Sequence, residues 1–128
     1  MSEVRDDPLG RLKSVIAATA DLRATSGRLS ARRVAEAFGL TLAQLAAAIG
    51  KARQTVWKTD DAEALQPRLF AFERTARLRT VLPESDFRSW LNMPNEQLDD
   101  RTPIELIRNG EADTVAELAE DMLTGSPT

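Results

Sequence analysis

This sequence predicts an all-α fold: an N-terminal helix-turn-helix-type helical bundle followed by a small C-terminal helical domain. Three observations predict it. Apolar residues recur at i, i+3, i+4 and i+7 in one segment after another. N-cap and stop residues bracket those segments at helical lengths. Nowhere does apolar–polar alternation last long enough for a strand.

The first helix follows Asp7-Pro8, where proline suits a first helical position, and places Leu12, Val15, Ile16, Thr19 and Leu22 on the face expected to be buried. Gly27 ends that stretch. Ser30 caps a short helix with Ala31, Val34, Ala35 and Phe38 on one side and Gly39 as its stop. Thr41 caps the next, with Leu42, Leu45, Ala46 and Ile49 before Gly50. A third short helix spans about Arg53 to Thr59, and Asp60-Asp61 and Gln66-Pro67 punctuate the chain beyond it. The longest helix is expected from about Pro67 to Leu82, closed by Pro83. Glu84 to Leu91 carries Phe87, Trp90 and Leu91 on a short helix, and "NMPN" is a turn. Thr102-Pro103 starts another helix and Asn109-Gly110 stops it. A final helix sets Val115, Leu118, Ala119, Met122 and Leu123 on one stripe before Gly125 and Pro127.

The 128 residues suffice for one domain or two small ones sharing a core. The natural division falls near residue 65. Residues 1–65 carry the N-terminal helices, with the helix-turn-helix at about 30–59; residues 66–128 carry the long connecting helix and the C-terminal domain, whose core motif is 84–125. No apolar run approaches the roughly 18 residues of a membrane span. The acidic start lacks the features of a secretory signal, so a cytoplasmic protein with no membrane partner is expected. The chain has no histidine, cysteine or tyrosine, which removes the commonest general base, metal ligands and the phenolic acid. No catalytic, cofactor or metal-binding residues are assigned, and an enzyme is not expected.

Charge is unevenly spread. Residues 1–58 hold ten Lys/Arg and five Asp/Glu, a balance of +5, whereas residues 83–128 hold three Arg and eleven Asp/Glu, a balance of −8. The first part suits phosphates and the last a basic surface.

In the basic part, "LTLAQLAAAIGKARQTVWK" (residues 40–58) has the layout of a helix-turn-helix. Ala46 allows a close helix crossing four residues before Gly50, and Leu45, Ile49 and Val56 form the interior. The second helix then presents Arg53, Gln54, Thr55 and Lys58 to DNA, with Arg28, Arg32 and Arg33 as further backbone contacts. The same helix projects Trp57, expected to be a partly buried packing residue rather than a base-stacking one. Lys51 stands at a turn position more often apolar, and Ala52 brings no side-chain oxygen to the N-cap, so a purely structural helix-turn-helix is the competing reading.

In the acidic part, "WLNMPNEQLDDRTPIELIRNG" (residues 90–110) resembles the signature of Xre/MbcA/ParS-like antitoxins with a C-terminal toxin-binding domain. The likeness rests on Trp90, Pro94, Asn95, Leu98, Pro103, Leu106, Ile107 and Gly110 in order, with an amphipathic closing helix after them, and extends over about residues 29–125. The resemblance implies a type II antitoxin whose partner is a RES-domain toxin, an enzyme that consumes NAD or transfers its ADP-ribosyl part. Relatives cover such a toxin's active-site cleft with their C-terminal region, and many repress their own operon through the helix-turn-helix. A homodimer or a larger assembly with the toxin is expected.

Physical chemistry supplies an independent reason for the toxin reading. A pocket for a dinucleotide pyrophosphate is basic, and an acidic segment complements it. The eight residues of the signature are assigned to scaffolding. Toxin contact is assigned to Glu111, Asp113, Glu117, Glu120, Asp121, Met122, Leu123 and Thr124, on a terminal segment expected to act as a lid for another protein's pocket. The rival is a free-standing helix-turn-helix transcriptional regulator with a C-terminal dimerisation domain.

Overall fold

Side-chain caps fix where the chain turns helical. Ser30, Thr41 and Thr102 each accept a hydrogen bond from a backbone N–H of the following turn, at Arg33, Gln44 and Glu105. At Thr41 and Thr102 the side chains of Gln44 and Glu105 reach back to the cap's own N–H, closing two capping boxes. Ala52, by contrast, caps its helix with no side-chain hydrogen bond.

A computed structural model describes residues 8–125. Among these the protein is all-α, with helices α1 (Pro8–Thr19), α2 (Ala31–Phe38), α3 (Leu42–Ala48), α4 (Arg53–Lys58), α5 (Gln66–Ala76), α6 (Glu84–Leu91), α7 (Pro103–Arg108) and α8 (Ala112–Thr124). The only extended pairings there are isolated bridges between Arg23 and Leu29 and between Asn95 and Arg101. Asp7 and Pro127, expected to flank the first and last helices, lie outside the described residues.

Phe38, Phe72 and Phe87 join α2, α5 and α6 edge to face, with ring centroids 5.2 Å and 5.7 Å apart. One hydrophobic cluster continues from them into both expected portions of the chain, 1–65 and 66–128. It takes in Leu45, Ile49 and Val56 of the helix-turn-helix and Leu106, Ile107, Val115 and Ala119 of the last two helices. α5 is the central element, packed on α2 and, most extensively, on α8, while α3 lies between α4 and α7.

Gly50 turns the chain between α3 and α4 at φ 70°, a left-handed conformation that glycine adopts without strain. Beside it Arg68 of α5 donates to the Ile49 carbonyl at 3.1 Å, satisfying an acceptor at the end of α3.

Two expectations are corrected. The long helix does not run to Leu82: α5 ends at Ala76, and Arg77–Thr80 tightens into a 3₁₀ turn that buries Leu78. The buried face of α1 is not the apolar stripe. Leu12 and Ile16 are 55% and 57% exposed, whereas Thr19 and Leu22 are buried and Val15 half-buried. Thr19 tolerates burial because its hydroxyl donates to the Val15 carbonyl at 3.1 Å.

Candidate functional site

α8 owes its position to the residues just before it. Asn95 accepts from the Gln97 N–H through its side chain and bridges to Arg101 through its backbone, folding the loop that leads to α7. Leu98, Pro103, Leu106 and Ile107 are buried. Gly110, at φ 86°, reverses the chain into α8 where α7 passes the end of α3; an added Cβ would stand 3.8 Å from the Ala48 carbonyl oxygen. Pro94 is exposed and shapes the turn rather than filling the core.

Trp90 packs on the core but remains half-buried. Trp90→Ala should therefore cost about 1–3 kcal/mol, less than the roughly 3–5 kcal/mol of a fully enclosed aromatic. Thermal unfolding measures this, and an unchanged melting temperature would remove Trp90 from the scaffold.

α8 buries Val115, Ala116, Leu118 and Ala119. The opposite side sets Asp113, Glu117 and Asp121 at intervals of four residues, so their carboxylates form one exposed stripe. Met122 stands beside it, 44% exposed, and Thr124 is exposed at the end of the helix. Leu123 is half-buried against the core.

The acids are not equivalent. Glu120 is clasped by Arg74 of α5 through two hydrogen bonds, at 2.6 Å and 3.0 Å. The Arg74 guanidinium holds the Glu120 carboxyl below its ordinary range, and Glu120 raises Arg74 in return. Arg74 also approaches Asp113 at 3.6 Å, and Arg101 approaches Glu111 at 3.5 Å. Glu117 and Asp121 form no ion pair among the described residues. With Met122 they make up the available part of the assigned contact set.

The terminal segment is also part of the core. Leu118 and Ala119 are core residues, and the Arg74–Glu120 pair ties α8 to α5. Sequence reasoning also gave no weight to Met93, 57% exposed in the turn before Asn95, or to Asp99 and Asp100, exposed at φ 57° and 64°. An apolar residue inside a turn motif was the available signal for Met93. Two successive left-handed aspartates announce themselves in no local pattern.

A second surface lies on α4. Val56 is buried while Arg53, Gln54, Thr55 and Lys58 are exposed. Arg53, Gln54 and Trp57 line a shallow depression of about 280 Å³. Trp57 is 58% exposed, only partly buried, because the short α4 has only Val56 directed inward. The Arg32 guanidinium covers its ring at 4.1 Å, a cation–π contact that carries one α2 cation to the α4 surface. Arg33 lines a different cleft, with Asp21, Glu36 and Arg79, and Arg28 donates to the Asp61 carbonyl at 2.7 Å. The structure thus gathers Arg32, Arg53, Gln54 and Trp57 and leaves Arg33 apart.

Residues 77–124 match the family model described as the antitoxin Xre/MbcA/ParS C-terminal toxin-binding domain. Neither a curated protein nor a solved structure matches the chain. The toxin-binding domain opens at the 3₁₀ turn after α5 and includes α6, α7 and α8, hence all eight scaffold residues and all eight contact candidates. It completes its core with α5 and α3, which lie outside the match. The exposed surface of the matched region includes the carboxylate stripe of α8. No helix among the described residues is long and apolar enough to cross a membrane.

Proposed function

We propose that the chain is the antitoxin of a type II toxin–antitoxin system, acting in the cytoplasm on a RES-domain toxin that consumes NAD or transfers its ADP-ribosyl part. The match of residues 77–124 to a toxin-binding domain carries this reading. The C-terminal end of α8 and its acidic stripe cover the toxin's active-site cleft. Carboxylates at Glu117 and Asp121 suit a pocket whose cations hold a pyrophosphate, and opposed charge speeds encounter. Co-expression with the RES-domain gene expected beside this one should yield a complex that survives purification. Failure of the two folded proteins to associate, with DNA still bound by this chain, would leave the free-standing regulator.

The α4 surface supports a second activity, repression of the antitoxin's own operon. Arg53 and Gln54 are exposed side chains of the kinds that read base edges, and Arg32, Thr55 and Lys58 suit phosphates. One α4 carries few cations, so binding at physiological salt requires two copies on a palindrome, supplied by a homodimer or by assembly with the toxin. Arg53→Ala should cost about 1–3 kcal/mol of operator binding if Arg53 reads a base. Titrations across salt concentrations identify its role: a loss confined to operator sequence marks base reading, and a uniform loss with a shallower salt slope marks a phosphate contact. Unchanged binding would exclude Arg53 from the interface.

A further inference from the structure

The indole of Trp57 is not spent on the fold's own core. It is 58% exposed and is not part of the hydrophobic cluster, although Val56 beside it is fully buried. The ring is nevertheless held in place. The Arg32 guanidinium lies 4.1 Å from its centroid and donates to the Trp57 carbonyl at 3.4 Å, while the Asp60 carboxylate stands 3.9 Å from the same guanidinium. One side of the indole is therefore covered, and the ring lines the depression that it shares with Arg53 and Gln54.

We infer that Trp57 reads the C5-methyl group of a thymine in the major groove, with Arg32 as the residue that positions it. The inference rests on the operator-binding reading of α4 and adds to it a residue and a base. Charge selects DNA as the occupant of this face. No residue from Leu40 to Thr59 is an acid, and the next carboxylates along the chain, Asp60 and Asp61, are engaged by Ser30 and Arg32 and by Ser26 and Arg28. The basic pocket expected of the toxin, or a second copy of this same face, would meet Arg32, Arg53 and Lys58 here and be repelled.

Chemistry selects the base. An aromatic ring entering the major groove meets hydrogen-bonding groups on guanine, cytosine and adenine, and one apolar group, the thymine methyl. Arg53 and Gln54 offer hydrogen bonds to guanine and adenine edges from the same depression. The indole supplies the apolar contact that neither of them can make. Because the ring neutralises no phosphate, its share of the affinity does not depend on salt, unlike that of Lys58. Arg32 restrains the ring before DNA arrives, so little rotamer freedom is left to lose on binding.

The probe is a duplex enriched by the full chain at low salt from a pool randomised over roughly 20 base pairs, two helical turns. Trp57→Ala should bind it at least roughly fivefold more weakly, with an unchanged salt slope and the melting temperature of wild type. Thymines are then exchanged one at a time for uracil, which lacks only the methyl. One position in each half-site should weaken wild type by roughly two- to fivefold and leave Trp57→Ala unaffected. Arg32→Lys keeps the charge but not the planar cover, and should shrink that thymine preference at constant salt slope; an undiminished preference overturns the positioning role. A folded Trp57→Ala variant that binds the duplex like wild type overturns the inference while DNA binding stands, and a loss of toxin binding in that variant would give the ring to the toxin. Thymine exchanges that cost wild type and Trp57→Ala equally also overturn it. A pool from which no sequence is enriched overturns the inference and the operator reading together.

Discussion

Replacing Glu117 and Asp121 together by lysine is expected to weaken toxin binding by roughly a hundredfold or more, because like charges facing each other across an interface cost several kcal/mol and each ~1.4 kcal/mol is a factor of ten. The same variant should fold as well as the parent. Both side chains are exposed; Glu117 feels the charge of Arg74 without closing an ion pair on it, and Asp121 has no ion pair among the described residues. Asp121 lies in the last turn of α8, which contains no basic residue. A carboxylate near the negative end of the helix dipole is unfavourable by about 0.3–1 kcal/mol, so lysine there should be neutral or stabilising. A residue that opposes its own helix is best explained by a role outside the fold. Binding assays and melting curves on the same preparation read the two effects. Loss of melting temperature in step with loss of binding would make these acids structural.

Removing residues 118–128 is expected to abolish cooperative unfolding altogether. Leu118 is 9% exposed, Ala119 is fully buried, and Glu120 supplies the clasp to Arg74. Deleting a buried leucine side chain alone costs about 2–5 kcal/mol, and whole domains are stable by only about 5–15 kcal/mol. Circular dichroism should show reduced helix and no sharp transition. A truncated chain that melts like wild type would mean that α8 does not close the core. Loss of inhibition in the truncated form therefore carries no information about contact, whereas the lysine exchanges at Glu117 and Asp121 do.

The features legible in the sequence were mostly local. Thr41 with Gln44, and Thr102 with Glu105, specify their capping boxes within four residues, and Gly39, Gly50 and Gly110 mark the helix ends. The helix-turn-helix interior was equally readable, because Leu45, Ile49 and Val56 meet across a short turn. Errors arose where the outcome depends on distant parts of the chain. Periodicity shows that α1 has an apolar stripe; it does not say whether the fold covers it, and among the described residues nothing covers Leu12 and Ile16 fully. Arg74 and Glu120 are 46 residues apart, so no pattern along the chain separates Glu120, held internally, from Glu117 and Asp121 on the same helix.

The central proposal is that residues 77–124, which match a toxin-binding domain, shut off a NAD-consuming toxin through the exposed face of α8. Its most direct test is a titration of the purified RES-domain toxin with this chain while NAD consumption is monitored. Activity should fall linearly and reach background at a fixed stoichiometric ratio, and the Glu117→Lys/Asp121→Lys variant should leave the toxin active at that ratio. Undiminished NAD consumption in the presence of excess folded wild-type chain would contradict the account.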